Sequence, residues 1–203
     1  GLGEGLAKAA TEASGKYGID KDGRVGLDVG EKNRSWCSSS NANDQRAVTI
    51  ECASDTSEPY AFRDVVYQKL IALCADICRR NGKKKLLWFG DKEKTLNYSP
   101  KADEMVLTVH RWFANKSCPG NWMYARMVDL AEIVTAALGC NNGDISASKS
   151  TQAKAFSSLF EAEGNTRTGA LFPDAHTQTD LLHSVSLSQF VSDSESVTSA
   201  FAR

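Results

Sequence analysis

The sequence predicts an α/β fold with a central mixed β-sheet flanked by helices, followed by a Ser/Thr-rich C-terminal extension. Short apolar or alternating segments, typical of strands, interleave with longer segments whose apolar residues recur every three or four positions. Residues that favour turns separate the two kinds of segment. All four Trp and all five Tyr lie at or before residue 124, so the large side chains of a core are concentrated there.

Four segments are predicted to form strands. Residues 17–29 predict a hairpin, because an Asp-Gly pair between two short extended segments favours a tight turn. Residues 47–53 alternate between apolar and polar side chains, which predicts a half-buried strand. Residues 86–89 and 105–110 are short apolar runs and predict two buried strands.

Two segments are predicted to form long helices. Residues 58–81 carry one apolar stripe, with Pro59 suited to the first turn and Gly82 to the end. Residues 122–138 carry a second stripe, which stops at a glycine. Strands alternating with such helices indicate a mixed sheet with helical cover.

The chain is predicted to divide into a domain at residues 1–140 and a linker or small extension at 141–203. The second part is rich in Ser and Thr and has no Trp or Tyr, so it has little apolar material to bury. Short helical patches are predicted within it at 151–163 and 180–191. Its role is left open.

Composition excludes some classes of function. The formal net charge of −1 gives no strong field toward nucleic acid or anionic lipid, and no apolar run approaches the roughly 20 residues that span a bilayer. No signal peptide is visible, although the chain begins with Gly rather than Met. Of the six cysteines, Cys74 and Cys78 lie four apart in a helical pattern; this favours core thiols over a disulfide framework.

Residues 110–120 (HRWFANKSCPG) carry the most informative chemistry. Imidazole and thiolate are good zinc ligands, and a His at a strand end with a Cys in the next loop can meet at one ion. Lys116 is placed to stabilise an oxyanion during carbonyl hydrolysis. The alternatives are a surface His with an unrelated buried Cys, or a Cys-His hydrolase with Cys118 as nucleophile. Glu51, in mid-strand, is either solvent-facing or a general base.

Together these motifs resemble the N-acetylmuramoyl-L-alanine amidase family, the type-2 amidases whose fold is shared with peptidoglycan-recognition proteins. The His-to-Cys spacing of eight residues and the Lys two before the Cys match the family's zinc segment. Residues 47–52 (AVTIEC) resemble the strand with the catalytic Glu, and residues 17–23 resemble the substrate-side hairpin. Residues 31–37 (EKNRSWC) are similar to a segment of clostridial and clostridial-phage endolysins. The resemblance covers about residues 12–138.

The resemblance implies zinc held by His110, Cys118 and an upstream His, with Glu51 and Lys116 as catalytic residues. No His precedes residue 17, so the first strand and its ligand are expected to be missing from this chain. His176 and His183 are the remaining histidines and lie in the extension. A two-ligand site is expected to bind zinc weakly, which would leave this chain inactive.

The expected function is therefore zinc-dependent cleavage of the N-acetylmuramoyl–L-alanine amide in bacterial peptidoglycan. Arg34, Trp36, Trp112 and Asn115 are candidate substrate contacts, with core packing the alternative for Trp112 and a plain surface loop for the first two. The rival function is a non-catalytic peptidoglycan-binding module on the same fold. The site of action is expected to be the cell wall, reached by secretion or by release from a phage-infected cell.

Overall fold

The computed structural model describes residues 15–139 and 181–188, and within the second segment the side chains of residues 184–187. A six-stranded sheet runs through both segments in the order β2-β1-β3-β6-β5-β4. The strands are β1 (Tyr17–Ile19), β2 (Val25–Leu27), β3 (Ala47–Ser54), β4 (Lys85–Leu87), β5 (Glu104–Val109) and β6 (Leu181–Ser188).

The sheet is mixed, as predicted. Strand β1 is antiparallel to β2 and parallel to β3, and β4 is parallel to β5. Strand β6 is antiparallel to both of its neighbours, β3 and β5. The predicted hairpin is confirmed, with the Asp20 carboxylate accepting hydrogen bonds from the backbone N–H groups of Asp22 and Arg24.

Two long helices cover one face of the sheet. They are α2 (Asp64–Arg80) and α5 (Met127–Gly139), and the shorter helices are α1 (Asn41–Arg46), α3 (Lys92–Leu96), α4 (Asn121–Tyr124) and the 3₁₀ turn η1 (His110–Trp112). Helix α2 contacts α5, β1 and β3, and α5 contacts β4. Among the described residues, no helix combines the length and the apolar character that crossing a bilayer requires.

The two faces of the sheet differ in chemistry. Under α2 and α5, paired apolar residues of β3, β5 and β6 are fully buried; they include Ile50, Leu107, Val109, Val185 and Leu187. The opposite face is polar but also buried, because the segment before β3 covers it. There Thr49 and Ser35 share a hydrogen bond of 2.8 Å between hydroxyls, and Thr108 donates one of 3.0 Å to Asn43.

Strand β3 is consequently buried on both faces, so the prediction of a half-buried strand is wrong. The alternation that the sequence shows separates an apolar interface from a polar interface, not core from solvent. Thr49 is 0 % exposed, although its side chain points away from the helices. A polar residue can be buried in this way when a hydrogen-bond partner is supplied, as Ser35 does here.

The predicted helical patch at 180–191 is also wrong, because Leu181–Ser188 forms the strand β6. Leu182 and Val185 are three residues apart and fit a helical stripe, but Val185 and Leu187 fit a strand equally well. Pairing with β3 and β5 decides between the two. Part of the predicted extension thus lies within the sheet; the patch at 151–163 lies outside the described residues, and the division at 140 stays a prediction.

The predicted helices differ from the observed ones at their ends. Helix α2 begins at Asp64 rather than at residue 58, because the chain before it takes a non-helical course with a cis Glu58–Pro59 bond and a positive φ of 57° at Tyr60. The helix predicted at 122–138 is two helices, α4 and α5, with a break at Ala125 and Arg126. Cys74 and Cys78 are buried free thiols, as predicted.

Candidate active site

Glu51 lies in the middle of β3, on the polar face of the sheet. It pairs with Gly18 of β1 and with Ser184 of β6. Its carboxylate accepts a hydrogen bond from the Cys37 thiol, with Sγ 3.7 Å from Oε1. Burial raises the pKa of Glu51, and the nearby Asp28 carboxylate adds to this, while the Cys37 hydrogen bond acts in the opposite direction. A carboxyl group with a raised pKa suits a general base or acid near neutral pH.

The loop after β5 is folded tightly by Arg111. The strand ends at Val109, and the Arg111 backbone N–H donates to the Cys118 carbonyl at 3.1 Å. The Arg111 guanidinium donates to the carbonyls of Ser117 and Cys118 and to Oδ1 of Asn121. These bonds bring the loop back to the end of β5, where the backbone of Cys118 lies beside that of Arg111.

His110 occupies the first position of this loop. Its Nε2 is 2.7 Å from the hydroxyl oxygen of Ser39, a residue of the segment that covers the polar face. Burial lowers the pKa of the imidazole, and the positive charge of Lys116 lowers it further, against the opposing effect of Asp44. The exposed Lys116 therefore acts electrostatically on His110, while its role in a shared site stays a prediction.

Strand β6 connects Glu51 with the His110 loop. Ser184 is the partner of Glu51, and the next residue, Val185, is the partner of Val109 on β5. His110 follows Val109 directly, so the end of β5 brings it level with Glu51 across β6, and β6 contacts η1. The Ser184 side chain is buried between the two and lies beside the Cys37 thiol, on whose pKa it acts.

The donors around His110 do not complete a zinc site within the described part of the chain. Imidazole and thiolate are the right chemistry for zinc, which takes at least three protein ligands in protein sites. Across residues 15–139 and 184–187, no three His, Cys, Asp or Glu side chains are grouped so that they could hold a metal ion. The side chains of His176 and His183 lie outside the described residues.

A groove adjoins His110 on the covering segment. It has a volume of about 300 Å³ and is lined by Arg34, Trp36, Ser39, Ser40, Asn41 and Asp44. The Arg34 guanidinium lies over the Trp36 ring at 3.6 Å, and Trp36 is 52 % exposed. An exposed indole that a cation holds in place offers a flat apolar surface to a ligand. The groove brings the predicted pair Arg34 and Trp36 close to Ser39, the hydrogen-bond partner of His110.

The two remaining predicted substrate contacts are Trp112 and Asn115. Trp112 stacks on Trp88 with ring centroids 4.8 Å apart, which is a packing role and the alternative that its sequence context leaves open. Asn115 is exposed at the tip of the loop. Two residues of the site, Cys37 and Ser39, carry no sequence signal, because only the fold of the covering segment brings them to Glu51 and His110.

One family of known proteins matches this chain. The family model for N-acetylmuramoyl-L-alanine amidase matches residues 4–121, which include Glu51, His110, Lys116 and Cys118. No curated protein and no solved structure matches the chain. A match over more than half of the sequence shows that the chain belongs to the N-acetylmuramoyl-L-alanine amidase family.

Proposed function

We propose that this chain is a zinc-dependent amidase that hydrolyses the bond between N-acetylmuramic acid and L-alanine in peptidoglycan. The observation that supports this best is the position of Glu51, a partly buried carboxyl group with a raised pKa, level with the loop that carries His110, Lys116 and Cys118. Family membership supports the substrate class. The groove beside Trp36 is open to a sugar or peptide portion of the same polymer.

In this proposal the described side chains have distinct roles. Glu51 accepts a proton from the attacking water and later passes it to the leaving amine, which its raised pKa favours. Lys116 supplies a positive charge to the oxyanion of the tetrahedral intermediate. His110 and Cys118 are the proposed zinc donors. A further ligand would come from residues beyond the described ranges, from solvent or from a partner chain.

The test of Glu51 uses purified peptidoglycan and mass spectrometry of the released fragments. The wild-type chain should release free stem peptides that begin with L-alanine. Glu51→Gln keeps the shape of the side chain but cannot accept the proton, and we expect a loss of about 100-fold or more. Glu132→Gln, at an exposed position of α5, is the matched control and should keep full activity. Full activity in Glu51→Gln would overturn the assignment.

The test of zinc is elemental mass spectrometry of the same preparation. If a ligand from beyond the described residues, from solvent or from a partner chain completes the site, about one zinc per chain is expected, and His110→Ala and Cys118→Ser should each lower that content. Activity should fall with a chelator and return with zinc, whereas a thiol mechanism at Cys118 would survive the chelator. A zinc-free wild-type chain would contradict the metal assignment.

A non-catalytic peptidoglycan-binding module is the second candidate. Among the described residues the donor set around His110 is incomplete, which is compatible with this function, and retention of muropeptides without release of fragments would establish it. For either function we propose the bacterial cell wall as the place of action. The similarity of residues 31–37 to clostridial-phage endolysins supports a lytic role, which lysis of clostridial cell walls by the added protein would test.

A further inference from the structure

The Glu51 side chain has close neighbours at both its stem and its carboxylate. On one side is Gly15, where a Cβ atom would come within 3.0 Å of the Glu51 Cγ and within 3.4 Å of its Cδ. On the other side is the Cys37 thiol, 3.7 Å from Oε1. These two contacts restrict the rotation of the carboxylate, because Gly15 lies against its stem while the thiol is bonded to one of its oxygens.

Cys37 is itself fixed on both sides along the chain. The Ser35 hydroxyl is bound to that of Thr49, two residues before Glu51 on the same face of β3. The Ser38 backbone N–H donates to the buried Asp44 carboxylate at 2.9 Å. Cys37 is 5 % exposed, and burial together with the Glu51 charge raises the pKa of its thiol, so it stays protonated and remains a donor.

We propose that Cys37 is a positioning residue, whose thiol orients the Glu51 carboxylate for proton transfer. This inference rests on the proposed role of Glu51. A thiol is a weak hydrogen-bond donor, but its hydrogen bond can still fix the orientation of the carboxylate. An Arg or Lys in its place would add a positive charge, which would lower the pKa of the carboxylate and make it a weaker base. The other titratable groups that act on Glu51 or respond to it are Asp28 and Cys52, and neither donates a proton to its carboxylate within the described residues.

The first experiment measures Glu51 without using activity. The carboxyl carbons of glutamate are labelled with ¹³C, and the Glu51 signal is followed against pH in the wild type, Cys37→Ala and Cys37→Ser. Loss of the hydrogen bond in Cys37→Ala should move the Glu51 titration to higher pH. Cys37→Ser keeps a donor and should stay at or below the wild-type midpoint.

Cys74→Ala is the matched control, because Cys74 is another fully buried free thiol and lies on α2, under the opposite face of the sheet. Its Glu51 titration should equal that of the wild type. An equal titration in Cys37→Ala, with the fold verified by circular dichroism, would overturn the proposal. Since the serine variant is nearly isosteric, it provides a second reading if the alanine variant folds poorly.

The second experiment measures kinetics on a soluble muropeptide. In Cys37→Ala we expect kcat to fall about fivefold, the factor for a hydrogen bond of about 1 kcal/mol. KM should stay within a factor of about two, and the acid limb of the pH profile should move to higher pH. Cys37→Ser should restore both kcat and the position of this limb. A change confined to KM would contradict a positioning role. A wild-type chain that releases no product would overturn the proposed function, while the NMR titration would still decide whether Cys37 holds the carboxylate.

Discussion

Glu51 has a consequence for stability that follows from its burial. A carboxyl group whose pKa is raised by folding binds its proton more tightly in the native state than in the unfolded chain. Its favourable contribution is therefore present below the ordinary pKa of about 4.3, and it is lost as the pH rises through the native pKa. At neutral pH the ionised Glu51 should destabilise the fold.

Glu51→Gln should remove this effect. We expect the variant to melt a few degrees higher than the wild type at pH 7, since each kcal/mol corresponds to about 2–4 °C in a chain of this size. The gain should shrink toward pH 4, where the native carboxyl is protonated. Thermal unfolding followed by circular dichroism at both pH values measures it, with Glu132→Gln as the exposed control. A gain of equal size at pH 4 and pH 7 would exclude this origin.

Site residues that are recognisable by their type and spacing could be predicted from the sequence. The face of Glu51 and the proximity of Lys116 to His110 are of this kind, because they depend on strand alternation and on a short loop. Cys37 and Ser39 could not be predicted. Their contacts with Glu51 and His110 join segments that are distant in sequence, and neither residue type specifies such a partner.

Among the elements, the loop after β5 depends most on a single side chain. Arg111 satisfies two loop carbonyls and the Asn121 side chain, and its guanidinium lies 4.7 Å from the centroid of the Tyr124 ring. Asn121 in turn donates to Glu58, which precedes the cis proline before α2. The loop of the candidate site is thus hydrogen-bonded to the segment that precedes α2, a helix on the other side of the sheet.

Replacing Arg111 with Ala should loosen this loop while leaving the core folded. The Gly120 amide, which donates to the Ser117 carbonyl, should exchange with solvent at least about fivefold faster, the factor for about 1 kcal/mol. Amide exchange by NMR measures this. Arg126→Ala is the matched control, because Arg126 also lies over an aromatic ring, Trp122, but is not bonded to the turn. Equal exchange in both variants would contradict the role of Arg111.

Except at β6, element types follow from periodicity, whereas some element boundaries do not. The stripe of α2 is correct, but its first turn was predicted from Pro59, which is common at helix starts. Here Tyr60 has a positive φ of 57°, outside the helical region, so the chain turns before the helix begins. This course depends on contacts with the α4 region, such as the Trp122 N–H donating to the Pro59 carbonyl, and local propensity contains no information about them.

At the scale of the whole molecule, β6 joins two halves of the sheet. Strands β1, β2 and β3 lie on one side of it and β4 and β5 on the other. Val185 and Leu187 are fully buried between the strands and the helices. The α/β class was predicted correctly, but the central strand was not, because an eight-residue segment rich in Ser gave no sign of its distant partners.

A chain that ends at residue 140 should therefore fail to fold cooperatively. It lacks the strand that satisfies the inner edges of β3 and β5, and unpaired buried backbone groups are costly. A chain that ends at residue 190 is the matched control and should keep a sharp transition. Circular dichroism and urea unfolding compare the two. A cooperative transition in the shorter chain would show that residues 1–140 form a domain by themselves.

The position of β6 also sets an order of events during synthesis. Translation proceeds from the N-terminus at about 5–20 residues per second, so β3 and β5 leave the ribosome seconds before the strand that separates them. Over that interval each presents an unpaired, apolar edge that can bind another nascent chain. Among the strands of the described residues, the last to be made is the one that closes the sheet, and the yield of native protein should depend on how well those edges are shielded until it arrives.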